Sequence, residues 1–336
     1  MPPLIEVRGL TVEIPTPAGW IRPVNDVSFS LDPGGSLGIV GESGSGKSML
    51  ALALMGLLPP GARVRGEAWF SAVPSVTTAN GGGAARENLL ALSERERIAM
   101  RGRDIAMIFQ EPMTALNPVM RVGAQIAEAI EAHHAGLQRE EVNRGVLAAL
   151  ERAAVPEPAM RARQYPHQLS GGLRQRAMIA MALAGDYEKA PRLLIADEPT
   201  TALDVTVQKQ ILELLGQLRR DLGLALLFIT HDLGVVAQVA DRIAVTYAGR
   251  IVEEGPALEV LERPSHPYTA GLLRASPQLV RHKLEPIPGT VPALTALPPG
   301  CAFEPRCPVR IAECAKAMPD LRAAGPEHGA RCILVS

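Results

Sequence analysis

The sequence is poor in aromatic residues and close to neutral. Phe, Trp and Tyr make up 3% of its 336 residues, and the formal net charge is −1 at pH 7. Proteins that bind DNA or RNA usually carry a basic face, and proteins that bind single strands also stack bases on aromatic side chains. Because acidic and basic residues are interspersed along this chain, we expect no nucleic-acid partner.

A long apolar run and a secretion signal are also lacking. The longest apolar run, residues 49–58, is about half of the roughly 20 residues that a membrane-spanning helix needs. The N-terminus lacks the basic stretch and the apolar core of a signal peptide. We expect that the chain does not cross a membrane and that it stays in the cytoplasm.

Cysteine is absent from the first 300 residues, and the four cysteines are Cys301, Cys307, Cys314 and Cys332. Disulfides are rare in a reducing cytoplasm, so four clustered cysteines favour metal ligation. Their spacing lacks the paired C-x2–4-C of structural zinc sites and is not a standard ferredoxin run. The spacing alone leaves zinc, iron–sulfur and free thiols open.

The length and the 47% apolar content are enough for a full core plus an appendage, which predicts two units. The sequence becomes rich in Pro after residue 255. We therefore predict one domain over residues 1–255 and a small C-terminal module over residues 256–336, which holds all the cysteines.

A glycine-rich stretch fits G-x-x-x-x-G-K-[ST] at every fixed position. Its residues are Gly41, Glu42, Ser43, Gly44, Ser45, Gly46, Lys47 and Ser48. An apolar strand pattern over 36–40 precedes it and a helical pattern over 49–58 follows it, which is the context that the motif needs. The backbone N–H groups of such a loop hold phosphates, its lysine reaches the β- and γ-phosphates, and its hydroxyl binds Mg²⁺. This phosphate loop predicts a site for ATP and Mg²⁺.

Two carboxylates end the next buried strand pattern, over residues 191–196. Asp197 can hold Mg²⁺, and Glu198 can activate the attacking water as a general base. A further strand pattern, over 225–230, leads to His231. Because the carboxyl ends of parallel strands face the ligand crevice, all three side chains are candidates for one site.

The remaining patterns predict a mixture of strands and helices. Alternation over 4–14 and 24–31 predicts edge strands of a small β-layer, and 66–93 has the composition of a flexible surface insertion. The other predicted elements are a strand over 105–109, helices within 120–154, a helix over 174–184 and a helix over 205–218.

Five motifs follow the phosphate loop in order: Gln110, Leu169-Ser170-Gly171-Gly172, Asp197-Glu198, Thr201-Ala-Leu-Asp204 and His231. With them the chain resembles ABC-type ATPase subunits, since other phosphate-loop kinases and GTPases lack the Leu-Ser-Gly-Gly signature. Longer segments resemble the oligopeptide and dipeptide importer ATPases. These segments are 109–118, 164–176, 194–208, 266–273 and the cysteine tail.

The resemblance implies an α/β fold. It consists of a P-loop NTPase (RecA-like) core with an antiparallel β-subdomain, a helical subdomain at about 111–180, and the small C-terminal cysteine-containing module.

The resemblance also implies a head-to-tail dimer in which each ATP lies between Lys47 of one subunit and the signature of the other. The signature contacts would come from Leu169, Ser170, Gly171, Gly172 and Gln175. Gln110 would join Ser48 and Asp197 at Mg²⁺ and sense the attacking water. His231 would hold the γ-phosphate, and Asp204 would lie on the dimer seam.

The family usually stacks adenine on an aromatic residue near the N-terminus, where this chain has Ile14 and, farther on, Trp20. Trp20 is therefore the candidate, with an ordinary surface aromatic as the alternative.

As a member of this family the chain would power peptide import from the cytoplasmic face of the inner membrane as a peripheral subunit. Its partners would be a second ATPase subunit, commonly a paralogue, two integral membrane permease subunits and an extracytoplasmic solute-binding protein. Nickel chelates or glutathione are alternative cargoes, and a soluble ABC ATPase not coupled to transport is the alternative function. A regulator that never hydrolyses ATP is disfavoured, because Glu198 and His231 are both present. The family's form of segment 300–308 implies a structural [4Fe–4S] cluster on the four cysteines.

Overall fold

The computed structural model describes residues 2–71, 86–111, 115–134, 136–186, 189–277 and 284–335. Its chain divides into two compact units. The first comprises Met1–Leu31, Ser36–Ala91 and Phe228–Ser336, and the second comprises Asp32–Gly35 and Leu92–Leu227. This division by packing is separate from the domain boundary at residue 255, which stays a prediction. No helix in the described part of the chain has the length and apolar character to span a membrane.

The strands are β1 (Ile5–Thr16), β2 (Gly19–Leu31), β3 (Ser36–Val40), β4 (Arg63–Ser71), β5 (Arg86–Asn88), β6 (Ile105–Ile108), β7 (Leu193–Asp197), β8 (Ala225–Thr230), β9 (Arg242–Tyr247), β10 (Arg250–Pro256), β11 (Arg322–Gly325) and β12 (His328–Ala330). The helices are α1 (Lys47–Met55), α2 (Glu94–Met100), α3 (Val122–Glu131), α4 (Arg139–Arg152), α5 (Pro158–Arg161), α6 (Gly171–Ala182), α7 (Val205–Leu222), α8 (Leu233–Val236), α9 (Ala257–Glu262) and α10 (Pro267–Ala275).

The first unit contains an antiparallel sheet of order β2-β1-β4-β5. β1 and β2 form a hairpin, and β1 pairs on its other side with β4, in the register Ile5↔Phe70. Residues 66–71 and 86–88 therefore belong to the sheet, and the interpretation of 66–93 as a flexible insertion is wrong for them. β4 begins with charged, exposed residues, so its sequence does not show the alternation of apolar and polar residues that predicts a strand. Residues 72–85, which also belong to this predicted insertion, lie outside the described residues.

The first unit also holds strands in the order β11-β12-β10-β9-β3. β3 and β9 are parallel, and the other pairs are antiparallel. β10 pairs with β12 through Glu253↔Ala330 and Glu254↔Gly329, so the C-terminal module extends this sheet at its edge.

Glu253 on β10 connects three parts of the chain inside this unit. Its side chain is fully buried. The carboxylate accepts hydrogen bonds from the backbone N–H groups of Ser265 and His266, at 2.7 and 2.9 Å, and lies 2.8 Å from Nε2 of His328. Buried charge is tolerated where hydrogen bonds replace those to water, and here they join β10 to the start of α10 and to β12.

The second unit contains the parallel pair β6 and β7, in the register Ile105↔Leu193 to Ile108↔Ala196. β8 lies next to β7, and the boundary between the units falls within β8. Helices α3, α4 and α6 pack on one another. The region in which the sequence predicts a helical subdomain is accordingly helical.

We predict that Glu253→Ala lowers the free energy of unfolding of the full chain by about 3 kcal/mol, because three donors, two of them buried, lose their acceptor. Urea denaturation measures the change. Glu262→Ala, at an exposed position at the end of α9, is the control and should stay within about 0.5 kcal/mol of the wild type. Equal stabilities of the two variants would refute the role of Glu253 as a connection.

Candidate nucleotide site

The phosphate loop leaves the buried strand β3 and enters α1, both in the first unit. Gly46 caps α1 in the left-handed region, with φ of 97°, and a Cβ there would lie 1.7 Å from the carbonyl oxygen of Pro23. A Cβ on Gly41 would lie 2.1 Å from the carbonyl oxygen of Thr246. Both positions therefore require glycine on steric grounds.

Lys47 lies folded back against its own loop and is 5% exposed. Its Nζ donates to the carbonyl oxygens of Gly41 and Glu42, at 2.7 and 3.1 Å. It is also 3.4 Å from Oγ of Ser45, whose hydroxyl is 3.2 Å from Oγ1 of Thr246. The lysine and the loop thus support each other's position.

The other candidates in this unit differ in exposure. Ser43 and Gly44 at the tip of the loop are exposed, and Ser48 in the first turn of α1 is half-buried. His231 is exposed directly after β8. Trp20 on β2 is 45% exposed, and the guanidinium of Arg63 lies 4.1 Å above its ring. Its contact with adenine stays a prediction.

In the second unit the two carboxylates lie at the end of β7 and are largely buried. Glu198 has a positive φ of 46°, which is rare for a residue with a side chain. Gln110 Nε2 lies 3.3 Å from Glu198 Oε2, and Thr201 Oγ1 donates to the same oxygen at 2.9 Å. The structure thus brings together two residues that the motifs single out, and adds the Thr201 hydroxyl, which sequence reasoning did not assign to Glu198. Residues 112–114 of the motif that follows Gln110 lie outside the described residues.

The signature lies at the N-terminus of α6, also in the second unit. Ser170 caps this helix by accepting from the N–H of Leu173, and a Cβ on Gly172 would lie 2.7 Å from Cγ1 of Val207. Asp204 caps α7 by accepting from the N–H of Val207 at 2.9 Å. The first turns of α6 and α7 are thus packed together. Leu169 and Gln175 are buried, and Ser170 is exposed.

The candidate residues fall into two sets. Lys47, Ser48 and His231 belong to the first unit, whereas Gln110, the signature and the carboxylates belong to the second. That the two sets form one ATP site stays a prediction.

Sequence reasoning missed two side chains that contact the phosphate loop. The hydroxyl of Tyr268 on α10 accepts from the N–H of Glu42 at 2.9 Å. Arg306 donates two hydrogen bonds to the Glu42 carboxylate, at 2.7 and 3.1 Å, and these bonds raise the pKa of Arg306. Arg306 lies within the cysteine tail that carries the family resemblance. Nothing in the sequence around it indicates that its partner is Glu42, which is 264 positions away.

The four cysteines line one small cavity in the first unit, together with His266 and Phe303. All four are free thiols. Burial raises the pKa of Cys301 to about 11 and also raises the pKa of Cys307. In this structure both thiols therefore favour the protonated form.

The cysteines fit a four-thiolate metal centre in their number, type and position around one cavity. Among the described residues, however, no group of three or more His, Cys, Asp or Glu side chains has the arrangement of a metal site. The four thiols therefore lie around one cavity, but they do not have the arrangement of ligands around a bound metal.

Comparison with known proteins identifies two regions of the chain. A family model described as ABC transporter matches residues 24–201, and one described as oligopeptide/dipeptide transporter, C-terminal region, matches residues 252–314. Proteins named as peptide import ATP-binding proteins of Brucella ovis and Brucella abortus are 47% and 46% identical, over 98% of this chain and 97% of theirs. A dimeric ATP-binding cassette, solved in a post-hydrolysis state with ADP and Pi, has a TM-score of 0.63 and 26% identity, covering 75% of this chain and 98% of that chain.

We predict that Asp204→Ala lowers the free energy of unfolding by about 1 kcal/mol, the typical effect of removing a helix N-cap. Asp204→Asn keeps an acceptor for the N–H of Val207 and should stay close to the wild type. Denaturant unfolding of the isolated chain makes the comparison without any dimer contact. If Asn and Ala destabilise equally, the cap is not what Asp204 contributes to the monomer.

Proposed function

The chain belongs to the ABC transporter family, and on that basis we propose that it is the ATP-hydrolysing subunit of a membrane importer for peptides. It has the α/β fold of an ABC ATPase cassette, and its relatives share nearly its full length. The observation that carries the proposal is the combination of the ABC transporter match with the match to the C-terminal region of oligopeptide/dipeptide transporters.

In the proposed mechanism the phosphate loop binds ATP. Lys47 exchanges its carbonyl partners for the β- and γ-phosphates, and the N-terminus of α1 adds a favourable dipole. Ser48, Asp197 and Gln110 are the proposed contacts to Mg²⁺, which neutralises phosphate charge during transfer. The support for this arrangement is the fixed shape of the loop and the burial of Asp197 at the end of its strand.

Glu198 is the proposed general base. The bonds from Gln110 and Thr201 to Oε2 orient the carboxylate. A base held in one orientation can take a proton from the attacking water without first reorganising. His231 is proposed to contact the γ-phosphate.

A second ATPase subunit is proposed to complete each site. The signature residues Ser170, Gly171 and Gly172 open helix α6, and its N–H groups suit a phosphate approaching from another subunit. Asp204 would lie on the seam between subunits. ATP-driven closure and reopening after hydrolysis would shift the conformational populations that two permease subunits convert into transport.

The proposed location is the cytoplasmic face of the inner membrane, bound to the permeases, with an extracytoplasmic protein delivering the solute. Peptides are the proposed cargo because the similar Brucella proteins are named for peptide import. Nickel chelates or glutathione are alternative cargoes.

We further propose that Cys301, Cys307, Cys314 and Cys332 hold a [4Fe–4S] cluster, with zinc as the alternative. Thiolate ligands suit either centre. Such a centre would cross-link a Pro-rich segment, and its role would be structural.

We predict that Glu198→Gln retains ATP binding and slows hydrolysis by about 10²–10⁴-fold in the assembled transporter, because the amide cannot act as a base. Nucleotide binding and phosphate release are measured separately. Glu213→Gln, at an exposed position on α7, is the matched control and should hydrolyse ATP at the wild-type rate. Near-normal turnover of Glu198→Gln would remove Glu198 from this role.

We predict that protein purified without oxygen is brown, with absorbance near ~400 nm and about four iron atoms per chain. Metal and acid-labile sulfide analysis of the wild type is compared with Cys314→Ser, which should lose the colour. Colourless protein with one zinc per chain would show that the four cysteines hold zinc and not a cluster. Metal-free protein with four titratable thiols would exclude both centres.

A further inference from the structure

Within the described residues, two side chains of the C-terminal module form hydrogen bonds with Glu42 of the phosphate loop. The N–H of Glu42 donates to the hydroxyl of Tyr268 at 2.9 Å. Its carboxylate receives Nη1 and Nη2 of Arg306 at 2.7 and 3.1 Å. On the other side, its carbonyl oxygen accepts from Lys47 at 3.1 Å. Glu42 thus connects the lysine of the phosphate loop to two side chains more than 220 positions away.

Contacts other than the one with Glu42 also hold the side chain of Arg306 in place. Its side chain is only 4% exposed. Its Nε donates to the carbonyl oxygen of Pro288 at 2.9 Å, and Nη1 lies 3.3 Å from the hydroxyl of Tyr247. A planar guanidinium held in this way binds a carboxylate in one geometry, which a lysine would not reproduce.

Tyr268 is held by an aromatic cluster, which we define as Tyr247, Tyr268 and Phe303. The ring centroids of Tyr247 and Tyr268 are 4.6 Å apart, and each lies 5.3 Å from Phe303. Arg306 lies 5.8 and 5.9 Å from the rings of Tyr247 and Phe303. The two side chains that contact Glu42 therefore belong to one packed group.

The charge of Glu42 makes this contact relevant to nucleotide binding. A carboxylate within a loop that receives phosphates repels them, and the repulsion grows as the site loses water. Arg306 places a positive charge directly on that carboxylate. The pair leaves the loop without an uncompensated negative charge.

We propose that Tyr268 and Arg306 are positioning residues of the phosphate loop: they fix the backbone of Glu42 and neutralise its carboxylate, so that nucleotide affinity depends on the C-terminal module. The inference rests on the proposed function, in which this loop binds ATP. It adds two residues outside the phosphate-loop motif to the machinery of the site.

The test is a double-mutant cycle on the full-length chain, with the Kd for MgATP measured by calorimetry. Arg306→Met should weaken binding about tenfold, which corresponds to about 1.4 kcal/mol. In a Glu42→Gln background the same Arg306→Met change should have an effect at least fivefold smaller, because no carboxylate remains to be neutralised. Arg310→Met, an exposed arginine in the same segment, is the control and should bind like the wild type.

Tyr268→Phe removes one hydroxyl without changing the packing, and it tests the backbone contact if Arg306→Met folds poorly. It should weaken binding about threefold, because the N–H of Glu42 loses its acceptor. Thermal unfolding of every variant is recorded alongside.

The measured Kd values distinguish failure of the inference from failure of the proposed function. An effect of Arg306→Met that is equal in both backgrounds, or a wild-type Kd for both Arg306→Met and Tyr268→Phe, overturns the inference. Lys47→Ala is measured in parallel. If it binds MgATP as tightly as the wild type, the proposed function fails with the inference; if it alone loses binding, only the inference fails.

Discussion

The phosphate loop is shaped around one buried cation. An ammonium group removed from water is stable only where hydrogen bonds replace its hydration. For Lys47 the carbonyl oxygens of Gly41 and Glu42 contribute to this, so the loop must turn back over the side chain. That turn brings the backbone against Pro23 and Thr246, where only glycine fits. The close packing of the loop therefore requires both the glycines and the lysine of the motif.

Packing and sequence divide the chain differently. Composition and family resemblance separate the Pro-rich C-terminal residues from the ATPase domain, whereas packing groups them with the phosphate loop in one compact unit. Two contacts join the C-terminal residues to the rest of this unit: the hydrogen bonds to the carboxylate of Glu253 and the ion pair between Glu42 and Arg306. The C-terminal module, which the composition predicts to be an appendage, thus contacts the phosphate loop.

Sequence patterns predicted some buried strands closely and missed other strands, including the buried β9. The strands Ser36–Val40 and Ala225–Thr230 have the predicted limits, because short continuous apolar runs bounded by turn residues are typical of buried strands. β4 was missed because it begins with charged, exposed residues, and β11 and β12 because they are short. The motifs single out Gln110 and Glu198, and the structure places Gln110 Nε2 3.3 Å from Glu198 Oε2. They could not predict Tyr268 or Arg306 as partners of Glu42, because these contacts depend on how distant segments pack. Thr201 lies only three residues after Glu198, but spacing alone does not show which way its hydroxyl points.

The pairing of β10 with β12 determines how this protein can be divided. Removing the residues after 255 would expose the unpaired N–H and C=O groups of β10 along a free sheet edge, and such edges pair readily with other chains. The carboxylate of Glu253 would lose His266 and His328, and a buried charge would be left at that edge. We therefore expect a fragment that ends at residue 255 to self-associate through this edge. A shortened version of this subunit must keep β12.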